Sequence, residues 1–157
     1  MNNLLVYLLK IGLSIGLGLF VGYERDTQHK TAGLRDVALV CLGSTLFTII
    51  SLEIAKMMSN YQSLNYDLGR VIAYIIVSIG FLGSGVILKT QDKLSGITTA
   101  SVLWSVVATG ICCGLGLYEL AILSALCIYL ILKLKYIRIK INSSRKKRRN
   151  KRGKKRL

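Results

Sequence analysis

The stretch "GLGLFVGYERDTQHKTAGLRD", residues 16–36, joins two apolar runs through a dense cluster of charges. Glycine-spaced apolar residues end abruptly in Glu24, Arg25 and Asp26, polar residues continue, and a second apolar run starts after Arg35 and Asp36. Apolar runs on both sides of a short charged stretch read as two membrane helices and the loop between them.

Composition supports that reading. Of 157 residues, 52% are hydrophobic, with 15 glycines and no proline, and the mean hydropathy is +0.51. A water-soluble core does not need so much apolar sequence. The net charge of +15 would suggest nucleic acid until it is located. Residues 133–157 hold 14 of the 22 Lys and Arg and no acid, whereas residues 1–132 carry 8 basic against 7 acidic groups. The division is therefore a nearly neutral membrane domain, residues 1–135, and a polybasic tail, residues 136–157.

Crossing a hydrocarbon core takes about 20 apolar residues, and five segments approach that length: Leu4 to Tyr23, Val37 to Met57, Val71 to Leu88, Ile97 to Leu115 and Leu117 to Leu132. The last two share the short connection "GLGLYE", so each barely reaches across. The expected fold is all-α, a bundle of about five transmembrane helices, because lipid leaves backbone groups no partner but their own helix. The first and third connections carry Arg25, Lys30, Arg35, Lys89 and Lys93 on the side of the tail, while the opposite side has Lys56 and Arg70. The positive-inside rule then puts the N-terminus outside and the C-terminus in the cytoplasm.

Gly12, Gly16, Gly18 and Gly22, with Ser14, offer the first helix a side of small residues where another backbone can approach. "SIGFLGSG" in the third span, with Gly80, Gly83 and Gly85, either packs closely or interrupts the helix. Lys10 either snorkels to an interface or enters a polar cavity. Thr98, Thr99, Ser101, Ser105 and Thr109 line the fourth span, where hydroxyls bond back to their own helix or across to a neighbour. Asp67 and Arg70 read as an N-cap with an interfacial anchor, or as a functional charged pair. Cys41, Cys112, Cys113 and Cys127 lie in apolar spans without metal-ligand spacing and read as packed thiols. No phosphate-binding glycine loop, zinc motif or nucleophile elbow supports an enzyme or a cofactor.

Four blocks in order, "GLFVGYERD", "HKTAGLRD", "DLGRVIAYIIVSIGFLGSGVILK" and "GITTASVLWSVVATGICCGLGLYELAI", resemble the MgtC/SapB family of bacterial inner-membrane proteins. The resemblance covers Gly12 to Ile122. It implies a five-helix membrane domain, a link to growth at low magnesium and to virulence, and inhibition of the F-type ATP synthase as partner. The family is often labelled a magnesium transporter. Carried over position by position, the functional residues that the resemblance implies are Glu24, Arg25, Gly33, Arg35, Asp67, Arg70, Gly80, Phe81, Gly83, Gly85, Thr98, Thr99 and Trp104. Thr31, Asp36, Leu68 and Ser78 depart from the family's pattern, and the globular C-terminal domain of many members is not found in these residues.

Two functions compete. A regulator would bind another membrane complex through helix faces and the charged inner loop, where Glu24, Arg25, Asp26, Arg35 and Asp36 are expected to pair and fix how two helices emerge. Breaking a partly buried pair of that kind costs on the order of 3 to 5 kcal/mol. A magnesium or other cation transporter would want carboxylate oxygens along its path, yet Asp36, Glu53, Asp67 and Glu119 all fall near span ends. Self-association is left open. The tail, with Arg145, Lys146, Lys147, Arg148 and Arg149 at its densest, is expected to be disordered and to bind anionic lipid. Nucleic acid is the weaker partner, since the tail offers no stacking residue beyond Tyr136.

Overall fold

The computed structural model describes residues 3–28, 30–58, 67–90 and 93–134, with only the backbone of residues 88–90, 93 and 94. The polybasic tail, including Arg145 to Arg149, lies outside the described residues. Five helices are present: α1 (Asn3–Thr27), α2 (Leu34–Met58), α3 (Leu68–Val86), α4 (Ile97–Leu115) and α5 (118–134). The first four are long and apolar enough to span a membrane. Two short strands, β1 (Leu88–Thr90) and β2 (Lys93–Ser95), pair antiparallel in the α3–α4 connection.

The α1–α2 junction differs from the sequence expectation. Instead of a loop over residues 24–36, α1 continues through Glu24, Arg25 and Asp26 to Thr27, and α2 begins at Leu34. Glu24 and Arg25 are good helix formers and carry α1 past its apolar run. The connection tightens at Gly33, whose N–H donates to the Asp36 carboxylate at 3.0 Å, so Asp36 serves the first turn of α2.

Helix α2 lies between α1 and α4, and both contacts depend on small residues. On α1, a Cβ on Gly18 would stand 2.7 Å from Ala38 Cα, and one on Gly22 would stand 2.8 Å from Leu34 Cα. With buried Ser14, these positions recur every four residues and form one face. Gly12 and Gly16 have open space instead, so the packing seam is narrower than the glycine count suggests. On α4, a Cβ on Gly110 would run into Ser44 Oγ and the Cys41 carbonyl, and one on Gly114 would stand 2.6 Å from Thr48 Cβ. Thr45 Oγ1, 2.8 Å from the Gly110 carbonyl and 2.9 Å from its own helix's Cys41 carbonyl, links the two helices. Val21, Val37, Cys41, Val102 and Val106 fill the space around these contacts.

The remaining helices attach at the sides. Thr109 and Ser124 hydroxyls meet at 2.9 Å between α4 and α5, and Phe20 of α1 packs its ring 4.5 Å from that of Tyr129 on α5. Gly116 ends α4 in the left-handed conformation (φ 82°), and the following N–H of Leu117 returns to the Cys112 carbonyl at 2.9 Å. This is the turn that lets α5 start almost at once. Helix α3 is continuous through "SIGFLGSG" and is the least buried of the four spans. Asp67 caps it, accepting from the N–H groups of Gly69 (2.9 Å) and Arg70 (3.3 Å).

Two expectations follow. Gly18→Leu should destabilise the bundle in detergent by about 1–3 kcal/mol or more through overpacking, whereas Gly16→Leu should leave the thermal midpoint nearly unchanged. Asp67→Ala should cost roughly 1 kcal/mol and Asp67→Ser should recover most of it, because serine caps equally well. Function lost in Asp67→Ser at wild-type stability would assign the carboxylate a role besides capping.

Candidate functional site

The residues singled out from the sequence separate into three places. The first is the end of the bundle where α1 finishes and α4 begins. Arg25, in the last turn of α1, is only 3% exposed and is the one charged residue in the buried core among the described residues. Its Nη2 donates to Thr99 Oγ1 at 2.5 Å across 74 residues of sequence, and Thr99 is also 3% exposed. A hydroxyl in the first turn of α4 is within reach because α2 draws α1 and α4 together along their length. Arg25 Nε and the neighbouring Glu24 Oε2 are both buried without a hydrogen-bond partner among the described residues.

The expected pairing of Glu24, Arg25, Asp26, Arg35 and Asp36 does not occur: among the described residues the ion pair is Lys56 with Glu53 on α2. Glu24 Oε2 is left without a hydrogen-bond partner among the described residues, and the other four are directed elsewhere. Arg25 turns inward to Thr99 and Asp36 caps Gly33. The Asp26 carboxylate lies 3.0 Å from where a Gly33 Cβ would stand, so Gly33 leaves room for it. Arg35 is exposed, as is Thr98 beside Thr99. The charges pack the helix ends individually rather than as a network.

The second place is the opposite end. Lys10 Nζ donates to the Gly114 carbonyl at 2.7 Å, an ammonium at the C-terminus of α4 where the helix dipole is negative. Glu53 pairs with Lys56 at 2.7 Å and lies within electrostatic range of Tyr7 and Lys10, so a small polar cluster closes this end between α1, α2 and α4. Lys10 thus binds a neighbouring backbone, an outcome that neither a snorkelling lysine nor a cavity lysine anticipates. The signal for it in the sequence is the Gly110-x-x-x-Gly114 spacing, which brings bare backbone to the contact face.

The third place is the outward surface of α3 and α4. Phe81 is 81% exposed and Trp104 58% exposed, and Gly80 and Gly85 have nothing within reach of an added Cβ. Of Gly80, Gly83 and Gly85, Gly83 alone packs against another helix, with ordinary contact to Ala100 Cβ at 3.6 Å. Asp67 and Arg70 sit at the start of this helix without an ion pair between them, the carboxylate being used as the cap. Of the cysteines, Cys41 and Cys113 are buried, Cys112 is half-buried and Cys127 faces outward; all are free thiols.

Comparison with known proteins agrees with this architecture. The MgtC family model matches residues 11–138. Protein SapB of Bacillus subtilis is 36% identical over 120 residues, 76% of this chain and 52% of that protein. Protein MgtC of Salmonella typhimurium LT2 is 34% identical over 122 residues, 78% of this chain and 49% of that protein. YhiD of Escherichia coli K12, whose name carries a provisional assignment as a magnesium transporter, is 34% identical over 113 residues, 72% of this chain and 53% of that protein. The chain therefore spans about half the length of the curated relatives it matches. No solved structure matches it. The family match, the four long apolar helices and the order of the sequence blocks agree: this chain is a multi-pass membrane protein belonging to the MgtC family.

Proposed function

We propose that this chain is a regulator in the bacterial inner membrane, N-terminus outside and C-terminus in the cytoplasm, that acts by binding another membrane complex under magnesium limitation and in virulence. The F-type ATP synthase is the partner that the family resemblance implies. The observation that carries this reading is the outward placement of Gly80, Phe81, Gly85 and Trp104. These residues belong to the blocks that bear the resemblance, yet they do not build this chain's own core. Two glycines beside a projecting phenylalanine offer notches and a knob to a foreign helix, which is how helices associate in lipid where apolar burial gives no drive. The polybasic tail, through Arg145, Lys146, Lys147, Arg148 and Arg149, would hold the cytoplasmic end against anionic lipid.

Transport of magnesium or another cation is the second reading, favoured by the name of the YhiD relative. Two observations weigh against it. Among the described residues no group of three or more His, Cys, Asp or Glu is placed to hold a metal ion. The charge buried in the bundle is the Arg25 guanidinium, which repels a cation at that end.

Affinity capture of the full chain from inner membranes, followed by identification of the ATP synthase subunits retained, tests the regulator. Phe81→Ala and Gly80→Leu should each reduce capture while leaving the thermal midpoint of the purified protein within the range of small surface changes, about 0.5 kcal/mol. Undiminished capture by both variants would remove this face from the account. Magnesium entry into liposomes that contain the purified chain, above that of empty liposomes, would favour the transporter instead.

A further inference from the structure

The Arg25 end of the bundle holds a buried charge that forms no ion pair among the described residues. Arg25 is 3% exposed, its Nη2 is bonded to the neutral Thr99 hydroxyl, and its Nε has no partner. A buried guanidinium that makes no hydrogen-bonded ion pair is among the most costly groups a bundle can hold. The same point is the N-terminus of α4, a helix of 19 residues whose N-cap, Gly96, offers no side chain to cap the first turn. Residue 96 is a left-handed glycine (φ 90°, ψ −13°), and a Cβ there would collide with the Val86 carbonyl, so no side chain at this position can supply the cap. The orphan N–H groups of residues 97–99 and the positive end of the helix dipole therefore face the turn that Arg25 reaches.

Two positive features side by side repel each other unless an anion lies between them. Among the described residues the nearby acids do not fill that role. Asp36 caps Gly33, and Asp26 lies against Gly33. Glu24 precedes Arg25 on the same helix, where adjacent side chains point about 100° apart. Its carboxylate is within electrostatic range of both Arg25 and Lys133 of α5, which tempers the charge but provides no hydrogen bond to Arg25 Nε.

We propose that Arg25, Thr99 and the first turn of α4 (96–99) form a binding site for a phosphate-type anion. A guanidinium fork, a hydroxyl and several backbone N–H groups supply donors from different directions, which suits the multiple oxygens of a phosphate better than the two of a carboxylate. Successive N–H groups after a left-handed residue converge as an anion-binding concavity. Ile97 and Thr98 are exposed whereas Arg25 and Thr99 are buried, so a lipid headgroup or soluble phosphate approaches through the first turn of α4 at the end of the bundle. This site is separate from the outward face of α3 and does not depend on the regulator reading.

Isothermal titration of the full chain in detergent, at fixed ionic strength, with inorganic phosphate in one arm and short-chain phosphatidic acid in the other, tests the site. Saturable one-to-one binding in at least one arm is expected, and the tighter arm assigns the source as soluble anion or lipid headgroup. Arg25→Gln should weaken binding about tenfold or more, the loss of one hydrogen bond to a charged group. Thr98→Asp places a carboxylate in the first turn, where it favours the helix dipole; it should abolish binding without loss of thermal stability, and it decides the matter if Arg25→Gln does not fold. No saturable binding in either arm, or binding unchanged in Thr98→Asp, would overturn the proposal and leave the basic tail as the source of any phosphate affinity.

Discussion

The close approach of α2 to α4 is the contact on which the other features of this bundle depend. Lipid solvates apolar side chains as well as a neighbouring helix does, so two helices stay together in a membrane only where atoms interlock or polar groups bond. Gly110 and Gly114 present bare backbone to Cys41, Ser44, Thr45 and Thr48, and the Thr45 hydroxyl reaches the Gly110 carbonyl. Gly18 and Gly22 repeat the arrangement between α1 and α2. With α2 held on both sides, α1 and α4 are brought into contact at their ends as well.

Those end contacts are where the chain's polar chemistry is concentrated. At one end Arg25 of α1 meets Thr99 in the first turn of α4; at the other, Lys10 of α1 meets the Gly114 carbonyl in the last turn. The second contact is favourable in sign, a cation at the negative end of a helix dipole, whereas the first places a cation at the positive end. Stability alone accounts for Lys10. It does not account for Arg25, and that asymmetry is the physical ground for assigning the Arg25 end an anion. Helix α3, by contrast, buries Ile79 and Gly83, packs Ile72, Ile75 and Val86 partly against the core, and leaves its outward side, with Phe81, to lipid or a partner.

Much of this was readable from residue order. Runs of about 20 apolar residues separated by charges identify helices because the bilayer sets their length, and the fourth expected span, Ile97 to Leu115, coincides with α4. The Asp67 cap was legible as an acid directly before an apolar run. The partner of each glycine was not: Gly12, Gly16, Gly18 and Gly22 look alike in sequence, but only the positions four apart from Ser14 fall on the face that meets α2. The fate of Arg25 was also hidden. Sequence proximity suggested pairing of Arg25 with the acids Glu24, Asp26 and Asp36, while α1 continues one turn further and carries the guanidinium to Thr99, 74 residues away. A charge cluster in sequence becomes separate caps and contacts once the helix ends are placed.

The central claim, that backbone contact between α2 and α4 organises the bundle, is tested most directly by the thermal midpoint of Gly110→Ala in detergent, with Gly43→Ala as reference. In an ordinary helix alanine is favoured over glycine by about 1 kcal/mol, and Gly43, which has open space beside it, should show a neutral or raised midpoint. At Gly110 the added methyl meets Ser44 Oγ and the Cys41 carbonyl, and a backbone carbonyl inside a packed helix pair cannot move aside. The midpoint of Gly110→Ala should fall by about 3 °C or more, a loss of roughly 1 kcal/mol or more despite the gain in helix propensity. A midpoint equal to or above that of the unsubstituted protein would contradict the claim.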